Sequence, residues 1–429
     1  MSKEPLAING GTPVRTKPWQ ESNALGEEEK RAMLRAMESG HLSLFQGAYK
    51  PAPPYNFLGG PEVQALEKMA VDMTGAKHVV VVNSATSGLY AAVGALGLGY
   101  GDEVIVSPYT MSACAVAPLI YGAIPVFADI EETTGCLDPV SIEKNVTKRT
   151  KAIIVVHQFG IPANMNAIMA IAKKHNLKVI EDCAQAWGAT IGHQWVGTFG
   201  DIGVFSFNVH KTIQCGEGGL CITNDKNLSL RLQMIRNHGE AVVEAAQYAH
   251  IENIIGFNYR LTEPLAAVAQ EQLKKLKQLN AARIAMVEAL HAGVARHRCL
   301  VPMHAQPETQ ATYYVCPMRY FTEHCGGTSR SAFTAMLKAE GIPFVESYVK
   351  PLYELPLFKT RTAFTKGYPW TAPENKDSTA RYETGICPTA ERLYAKEMLL
   401  NMHLCHPQTM DDVADIITAI DKVVVACTS

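Results

Sequence analysis

Residues 151–183 read KAIIVVHQFGIPANMNAIMAIAKKHNLKVIEDC and contain two short apolar runs separated by a helix-like stretch. The runs at 151–159 and 177–183 are rich in Val and Ile, without the regular alternation of a strand that exposes one face. Such runs are typical of strands buried on both faces of a parallel sheet, joined by a helical crossover. This stretch therefore predicts an α/β fold.

The same pattern extends over a larger segment, from about residue 77 to residue 224. Its other apolar runs are KHVVVVN at 77–83, DEVIVSP at 102–108, IPVFADI at 124–130, IGVFSF at 202–207 and GLCITND at 219–225. Beyond residue 260 long helical patterns begin, with Thr262 as a candidate N-cap and Pro264 in the first turn. We therefore predict an N-terminal arm and large, mostly parallel-sheet domain over 1–260, and a smaller α+β domain over 261–429.

The composition of the 429-residue chain is that of an ordinary globular enzyme, with 47% hydrophobic and 19% charged residues. A net charge of -2 gives no global field that would attract nucleic acid or an anionic membrane. Neither a signal peptide nor a membrane-spanning apolar run is evident, so we expect a cytoplasmic protein without nucleic-acid or membrane partners. The eleven cysteines occur singly, which predicts reduced core thiols instead of disulfides or a zinc site.

The segment at 200–219, GDIGVFSFNVHKTIQCGEGG, combines a strand, a polar turn and a glycine-rich return. Lys211 follows the strand closely, and Gly216, Gly218 and Gly219 allow the backbone to approach a flat ligand. An amine in such a turn suits a Schiff base with a carbonyl compound. Because a single loop lysine is far more commonly a surface residue, this interpretation depends on the neighbouring motifs.

The segment at 179–189, VIEDCAQAWGA, places Glu181 and Asp182 at the C-terminal end of an apolar strand. Open α/β sheets bind their ligands at that edge. A buried Asp182 stays ionised only opposite a cation or several donors, and a protonated pyridine nitrogen would supply one. A cap for the following turn is an equally good explanation of Asp182 by this motif alone.

A third motif, SATSGL at 84–89, leads from a strand into a helix. The hydroxyls of Ser84, Thr86 and Ser87 and the free N–H groups of the first helical turn can bind an anion such as a phosphate. Simple N-capping without a ligand is the more common use of such residues. This motif is therefore informative only in combination with the others.

Three further segments carry weaker signals. GALGLGYG at 94–101 follows a helix instead of opening one, which indicates a helix end and not a dinucleotide loop. MHLCHP at 402–407 lacks a second ligand cluster, so no metal site is predicted. The segment at 40–60, rich in Gly, Pro and aromatic residues, predicts an ordered loop over a site.

In this order, SATSGL, EDCAQAWGA, FSFNVHKTIQCGEGG and GFNYRLTEPLAA at 256–267 resemble the DegT/DnrJ/EryC1/StrS family of sugar aminotransferases. The resemblance covers most of the chain, up to the segment CPTAERLYAKEMLLNMHLCHPQT at 387–409. It implies the aspartate-aminotransferase-like type I fold, pyridoxal 5'-phosphate (PLP) as the cofactor, and a homodimer with shared active sites. It also implies transfer of an amino group from glutamate or glutamine to a keto sugar or keto cyclitol, in amino-sugar, antibiotic or surface-polysaccharide biosynthesis.

Position by position, the resemblance assigns roles to individual residues. Lys211 would bind the cofactor covalently and serve as acid and base, and Asp182 would pair with the pyridine nitrogen. Gln185 would contact the phenolic oxygen, and Met111 stands where the family commonly has an aromatic residue on the ring. The phosphate would be held by Ala85, at a position where Gly is frequent, by Thr86 and Ser206, and by Asn258 of the neighbouring subunit.

Four polar residues are further candidates for contact with the substrate: Tyr109, His157, Arg260 and Tyr348. Two other functions fit the same fold, namely a PLP-dependent sugar dehydratase or lyase and a non-catalytic regulator. Some family members with His in place of the lysine act as dehydratases, whereas this chain keeps Lys211 beside His210. A regulator would be expected to have lost Lys211, Asp182 or Ser206, and all three are present.

Overall fold

Fourteen β-strands and twelve α-helices are formed by residues 5–48 and 56–428, the part of the chain that the computed structural model describes. In chain order the strands are β1 His78–Val82, β2 Glu103–Val106, β3 Ile124–Phe127, β4 Thr150–Val156, β5 Lys178–Asp182, β6 Thr190–Ile191, β7 Gln194–Trp195, β8 Ile202–Ser206, β9 Gly219–Thr223, β10 Leu300–Pro302, β11 Thr309–Gln310, β12 Cys316–Tyr320, β13 Val345–Glu346 and β14 Met398–Asn401. The helices are α1 Glu27–Glu38, α2 Pro61–Thr74, α3 Ala85–Ala95, α4 Ala113–Ile120, α5 Pro139–Asn145, α6 Met165–His175, α7 Lys226–Arg236, α8 Glu263–Val294, α9 Arg330–Ala339, α10 Pro356–Lys359, α11 Pro388–Arg392 and α12 Met410–Thr428. Residues 49–55 of the loop predicted at 40–60 lie outside the described residues.

The seven apolar runs found in the sequence form one seven-stranded sheet, in the order β1-β9-β8-β5-β4-β2-β3. Strands β8, β5, β4, β2 and β3 run parallel to one another. Only β9 runs in the opposite direction, because the short turn after β8 folds the chain straight back. The predicted α/β fold with a mostly parallel sheet is confirmed.

The sheet is buried on both faces, as its continuous apolar runs predict. Side chains alternate along each strand, so Val79 and Val81 of β1 belong to one hydrophobic core and Val80 belongs to the other. In the same way Val204 and Phe205 of β8 face opposite cores. Packing on both faces holds the strands rigidly, and it fixes where each strand presents its C-terminal end.

Helix α8 starts where the sequence predicts, after Thr262 and with Pro264 in its first turn. The Thr262 side chain makes no capping hydrogen bond. Instead the Glu263 carboxylate accepts hydrogen bonds from the N–H groups of Gly60 at 3.0 Å and Glu62 at 2.8 Å, which ties α8 to the start of α2. Helix α8 also packs against α1 and α12.

A second, antiparallel sheet of β10, β12, β14 and β13 lies in the C-terminal third of the chain. The seven-stranded sheet ends at Thr223 and this smaller one begins at Leu300. Helix α8, with 32 residues, is the longest element in the interval between them. A domain boundary near residue 260 remains a prediction, and the position of the two sheets is compatible with it.

Three smaller features concern the glycines after α3, the cysteines and the character of the helices. Helix α3 ends at Ala95, so the glycines of 94–101 form a helix end and a turn. All eleven cysteines are unpaired, and only Cys427 is partly exposed. Within the ranges given above, no helix combines the length and the apolar character needed to cross a bilayer.

Candidate active site

The residues singled out from the sequence gather at one edge of the large sheet. Val156 of β4 pairs with Asp182 of β5, and Asp182 pairs with Val204 of β8. Because these strands are parallel, their C-terminal ends meet at the same edge. Lys211 lies in the turn that leaves β8 at this edge.

The turn that carries Lys211 is held by Asn208. The Lys211 N–H donates to the Asn208 carbonyl at 2.9 Å, and the Asn208 N–H donates to the Ser206 hydroxyl at 3.2 Å. The Asn208 side-chain amide also donates to the Glu217 carboxylate at 3.1 Å. These contacts fix the backbone on both sides of the lysine.

The Lys211 amine is largely buried and lies 4.6 Å from the centroid of the Tyr314 ring. Burial lowers the pKa of Lys211 because it penalises the charged form, and the negative charge of Asp182 opposes this effect. The net direction favours a neutral amine. A neutral amine is what nucleophilic attack on a carbonyl and proton abstraction require.

Asp182 is a buried carboxylate, with 6% of its surface exposed. Its Oδ1 accepts the Ala184 N–H at 2.9 Å, and its Oδ2 accepts the Cys114 thiol at 2.9 Å. Burial raises the pKa of Cys114, as does Asp182, so the thiol keeps its proton and can donate it. In the described part of the chain no Lys, Arg or His nitrogen makes an ion pair with Asp182, and a cationic ligand group would fit beside it.

The neighbouring carboxylate of Glu181 points to the other side of the strand and is fully satisfied. It accepts hydrogen bonds from the Gly197, Phe199 and Gly200 N–H groups at 2.7 to 2.8 Å and from His157 Nε2 at 3.1 Å. Since His157 Nδ1 accepts the Ala163 N–H at 3.1 Å, its proton must be on Nε2. Glu181 and His157 are therefore bound to each other and to backbone.

Together with Cys183, these two residues are the sole group of three potential metal ligands in residues 5–48 and 56–428. Every donor and acceptor position of His157 and Glu181 named above is already used within the protein. Of the two histidines of 402–407, His403 stacks on Trp19 at a centroid distance of 4.5 Å. These contacts describe structural support and not a metal site.

Gln185 connects the site to the second half of the chain. Its Oε1 accepts the Phe159 N–H at 2.7 Å, which directs its Nε2 toward the Tyr348 hydroxyl at 3.1 Å. Tyr109 is fully buried, and its hydroxyl accepts the Tyr348 N–H at 3.0 Å and contacts the Ser347 hydroxyl at 2.9 Å. Burial raises the pKa of Tyr109 to about 12, so this phenol stays neutral.

The start of α3 presents free backbone N–H groups. Ser84 caps this helix by accepting the Ser87 N–H at 3.0 Å, and the N–H groups of Ala85 and Thr86 have no acceptor within the helix. A Cβ added at Gly219 would lie 2.6 Å from the Ala85 nitrogen, so β9 approaches the helix start this closely only because residue 219 is glycine. Ser206, which is buried, ends the adjacent strand β8.

The remaining candidates lie near the surface. Met111 is 54% exposed, beyond the end of β2. Asn258 is exposed, and its Oδ1 accepts the Arg260 Nε–H at 2.9 Å. Arg260 also donates to the Asn237 side chain at 3.1 Å. Arg260 thus orients the amide of Asn258 at the surface of the chain.

The site therefore combines an amine, a buried carboxylate and a helix start. The carboxylate without a cationic partner suits a protonated ring nitrogen, the amine suits an aldehyde, and the helix start suits a phosphate. These are the three functional groups of PLP, so the residues present fit this cofactor. Fold and site together define an enzyme of amino-group chemistry built on an α/β sheet.

The chain belongs to the DegT/DnrJ/EryC1/StrS aminotransferase family, whose profile matches residues 54–421. A similar protein is the L-glutamine:2-deoxy-scyllo-inosose aminotransferase of Streptoalloteichus tenebrarius, 34% identical over 97% of both chains. Another is the UDP-N-acetyl-3-dehydro-alpha-D-glucosamine 3-aminotransferase of Acidithiobacillus ferrooxidans, 39% identical over 71% of this chain and 79% of that protein. The protein is thus an aminotransferase.

Solved structures agree with this assignment. An aminotransferase from Psychrobacter cryohalolentis superposes with a TM-score of 0.81 and 28% identity over 96% of this chain and all of that one. DesV of S. venezuelae superposes with a TM-score of 0.76 and 29% identity over 94% of this chain and 95% of that one. The fold is the aspartate-aminotransferase-like type I arrangement, as expected.

Two residues of the site were not found by sequence reasoning. Tyr314 comes from beyond the predicted domain boundary, and no local motif marks it. Cys114 lies in an apolar run, where a cysteine reads simply as a small core residue. Its position four residues after Thr110 in the segment following β2 was the one available signal, because that segment also contains Met111.

Proposed function

We propose that the protein is a PLP-dependent aminotransferase that passes an amino group from L-glutamine or L-glutamate to a keto cyclitol or keto sugar. The observation that carries the proposal is the placement of Lys211 and Asp182. Asp182 is buried and Lys211 is partly buried at the same sheet edge, and the start of α3 with its free N–H groups follows a neighbouring part of the sheet. Membership of an aminotransferase family supports this function over a dehydratase or a non-catalytic regulator.

Each residue of the site has a defined task in this proposal. When bound, PLP supplies a carbonyl carbon that receives the amino group and a ring that withdraws electrons. Asp182 holds the proton on the ring nitrogen, and the Gln185 Nε2–H group donates toward the ring oxygen. Lys211 holds the cofactor covalently and, once released, moves the proton at the reacting carbon.

The phosphate is bound by backbone and hydroxyl groups in place of lysine or arginine. We assign the phosphate to the N–H groups of Ala85 and Thr86 and to the Ser206 hydroxyl, and the helix dipole favours negative charge at the start of α3. Asn258 of a second subunit would complete it. Met111 would pack on the ring with its thioether, which is more adaptable than an aromatic ring.

A keto cyclitol is the acceptor that we favour. Relatives that match nearly the full chain include L-glutamine:2-deoxy-scyllo-inosose aminotransferases from several actinomycetes, at 32 to 34% identity. The relative with a nucleotide sugar in its name matches 71% of the chain. Tyr348, whose hydroxyl accepts from Gln185, and Arg260, which is bonded to Asn258, are the candidate substrate contacts.

Tyr109 and His157 receive a different role from the one first suggested by the sequence. Both are fully buried, and their polar atoms are bonded within the protein. We infer that Tyr109 positions Tyr348 and that His157 positions the carboxyl end of β5 through Glu181. A direct contact of either with a substrate would need these hydrogen bonds to break.

Two features of the proposal concern the whole protein. A homodimer is proposed because the family resemblance assigns Asn258, which is exposed, to the phosphate of the neighbouring subunit. A cytoplasmic location remains a prediction from the sequence.

The proposal is tested by mixing the purified, PLP-loaded protein with L-glutamine or L-glutamate and recording the visible spectrum. The expected result is conversion of the cofactor to its amino form by at least one donor, and reversal on adding 2-deoxy-scyllo-inosose. Conversion without reversal by any cyclitol, but with reversal by a keto nucleotide sugar, would replace the favoured acceptor. Consumption of a keto sugar without any amino donor would instead indicate a dehydratase.

A further inference from the structure

Tyr314 is the aromatic residue that faces the active-site amine. The Lys211 Nζ lies 4.6 Å from the centroid of its ring, within the range in which an aromatic face attracts a cation. Tyr314 follows β11 and lies in the segment that leads into β12, far from Lys211 in the sequence. The contact therefore depends on tertiary structure alone.

Several hydrogen bonds hold Tyr314 in this position. Its N–H donates to the Phe159 carbonyl at 2.7 Å, while the Thr312 N–H donates to the Gly160 carbonyl at 2.9 Å. The residue between them, Tyr313, has a φ of 49°, a left-handed conformation that a bulky side chain adopts only when its surroundings impose it. The segment is thus fixed against the loop after β4.

Arg283 of α8 holds the same segment from the other side. Its Nη1 donates to the carbonyls of Tyr314 at 2.8 Å and Tyr313 at 3.3 Å. Arg283 is 6% exposed, burial lowers its pKa, and in the described ranges no carboxylate pairs with it. Burying a guanidinium that binds two backbone carbonyls carries a desolvation penalty that lowers the free energy of unfolding. The presence of Arg283 here therefore indicates that the position of Tyr314 matters.

The other groups around the Lys211 amine affect its charge in different ways. Asp182 of β5 favours the charged amine, whereas burial disfavours it and is the larger effect. Burial raises the pKa of the Tyr348 hydroxyl and of the Cys114 thiol, so both stay neutral. Of the groups named here, the Tyr314 ring and Asp182 are those that stabilise a positive charge on Lys211.

We propose that Tyr314 is a positioning residue for Lys211, whose ring face directs the amine into the site and stabilises its protonated form. The inference rests on the proposed function, in which Lys211 must take up a proton and return it. Without the ring, burial would keep the amine neutral and a poor acid. With it, the lysine can serve in both directions near neutral pH.

The test is a pH titration of the Lys211 amine in protein loaded with pyridoxamine 5'-phosphate, in which this amine is free, with the rate of its acylation by an amine reagent followed by peptide mass spectrometry. Tyr314→Leu removes the ring face, and we expect the transition to fall by roughly half to one and a half pH units. Tyr314→Phe keeps the face and loses only the hydroxyl, so its transition should stay close to that of the wild type. Tyr100→Leu is the matched control, since Tyr100 is 53% exposed and lies in a turn after α3.

A transition in Tyr314→Leu equal to that of the wild type would overturn the inference. An equal fall in Tyr314→Phe would also overturn it, since the hydroxyl and not the ring face would then be responsible. If Tyr314→Leu fails to fold, Tyr314→Met, a flexible side chain without a ring, is measured in its place. Failure of the proposed function itself has a separate signature: borohydride would then attach no cofactor to Lys211 in the wild-type protein.

Discussion

Two adjacent acidic residues at the end of β5 have opposite tasks. The Glu181 carboxylate accepts hydrogen bonds from three backbone N–H groups and from His157. It therefore fixes the loop after β7, and its oxygens are not free to bind a ligand. Asp182 has one backbone donor and one thiol. Because side chains alternate along a strand, consecutive residues necessarily face opposite sides, and only one of the two can face the cofactor.

Replacing Asp182 by Asn is expected to leave the fold intact and slow the half-reaction with L-glutamine by roughly 100-fold or more. A neutral amide has nearly the same shape, but it cannot stabilise a proton on the ring nitrogen. The rate is measured by stopped-flow absorbance at saturating donor. Asp225→Asn is the control, because Asp225 caps α7 through its Oδ1 and Asn caps helices equally well. Equal rates in the wild type and Asp182→Asn would contradict the pairing.

At the scale of elements, strands were easier to predict than the contacts between distant loops. All seven apolar runs became strands of one sheet, because burial on both faces demands a continuous apolar pattern that is visible locally. The start of α8 was also predictable from Thr262 and Pro264. The Thr262 side chain, however, makes no capping hydrogen bond. The neighbouring Glu263 carboxylate instead binds the backbone at the start of α2, a long-range contact that the local sequence does not reveal.

The candidate site was predicted in part, because some of its residues are placed by the ends of strands and others by packing between distant elements. Asp182 and Ser206 end strands and Lys211 lies in the turn after one, so their edge of the sheet could be deduced from the sequence. Tyr314 and Arg283 reach the site by packing between separate elements, and no local pattern encodes that packing. For Tyr109 and His157 the sequence predicted polar residues near the site. Their complete burial and their hydrogen bonds within the protein could be seen only in the structure.

At the scale of the whole molecule, each active site of the proposed dimer contains residues from both subunits. Asn258 would supply a ligand to the phosphate bound by the other subunit, whereas Lys211 would act within its own. A Lys211→Ala subunit paired with an Asn258→Ala subunit would then contain one site with both changes and one site with neither.

Co-expression of these two variants with different affinity tags tests the joint site. Random pairing is expected to restore about a quarter of the wild-type activity at limiting PLP, although each variant alone is impaired. Activity is measured on the mixture and on the heterodimer that carries both tags. If the doubly tagged dimer is no more active than the variants themselves, Asn258 does not serve the neighbouring site.

The central claim is that the Lys211 amine and the Asp182 carboxylate hold opposite ends of one PLP molecule, and it is tested most directly by borohydride reduction followed by peptide mass spectrometry. The account predicts that the cofactor is fixed on the peptide containing Lys211, and that Lys211→Ala keeps the fold but carries no covalent cofactor and no half-reaction. Attachment to a different lysine, or undiminished amino transfer by Lys211→Ala, would contradict it.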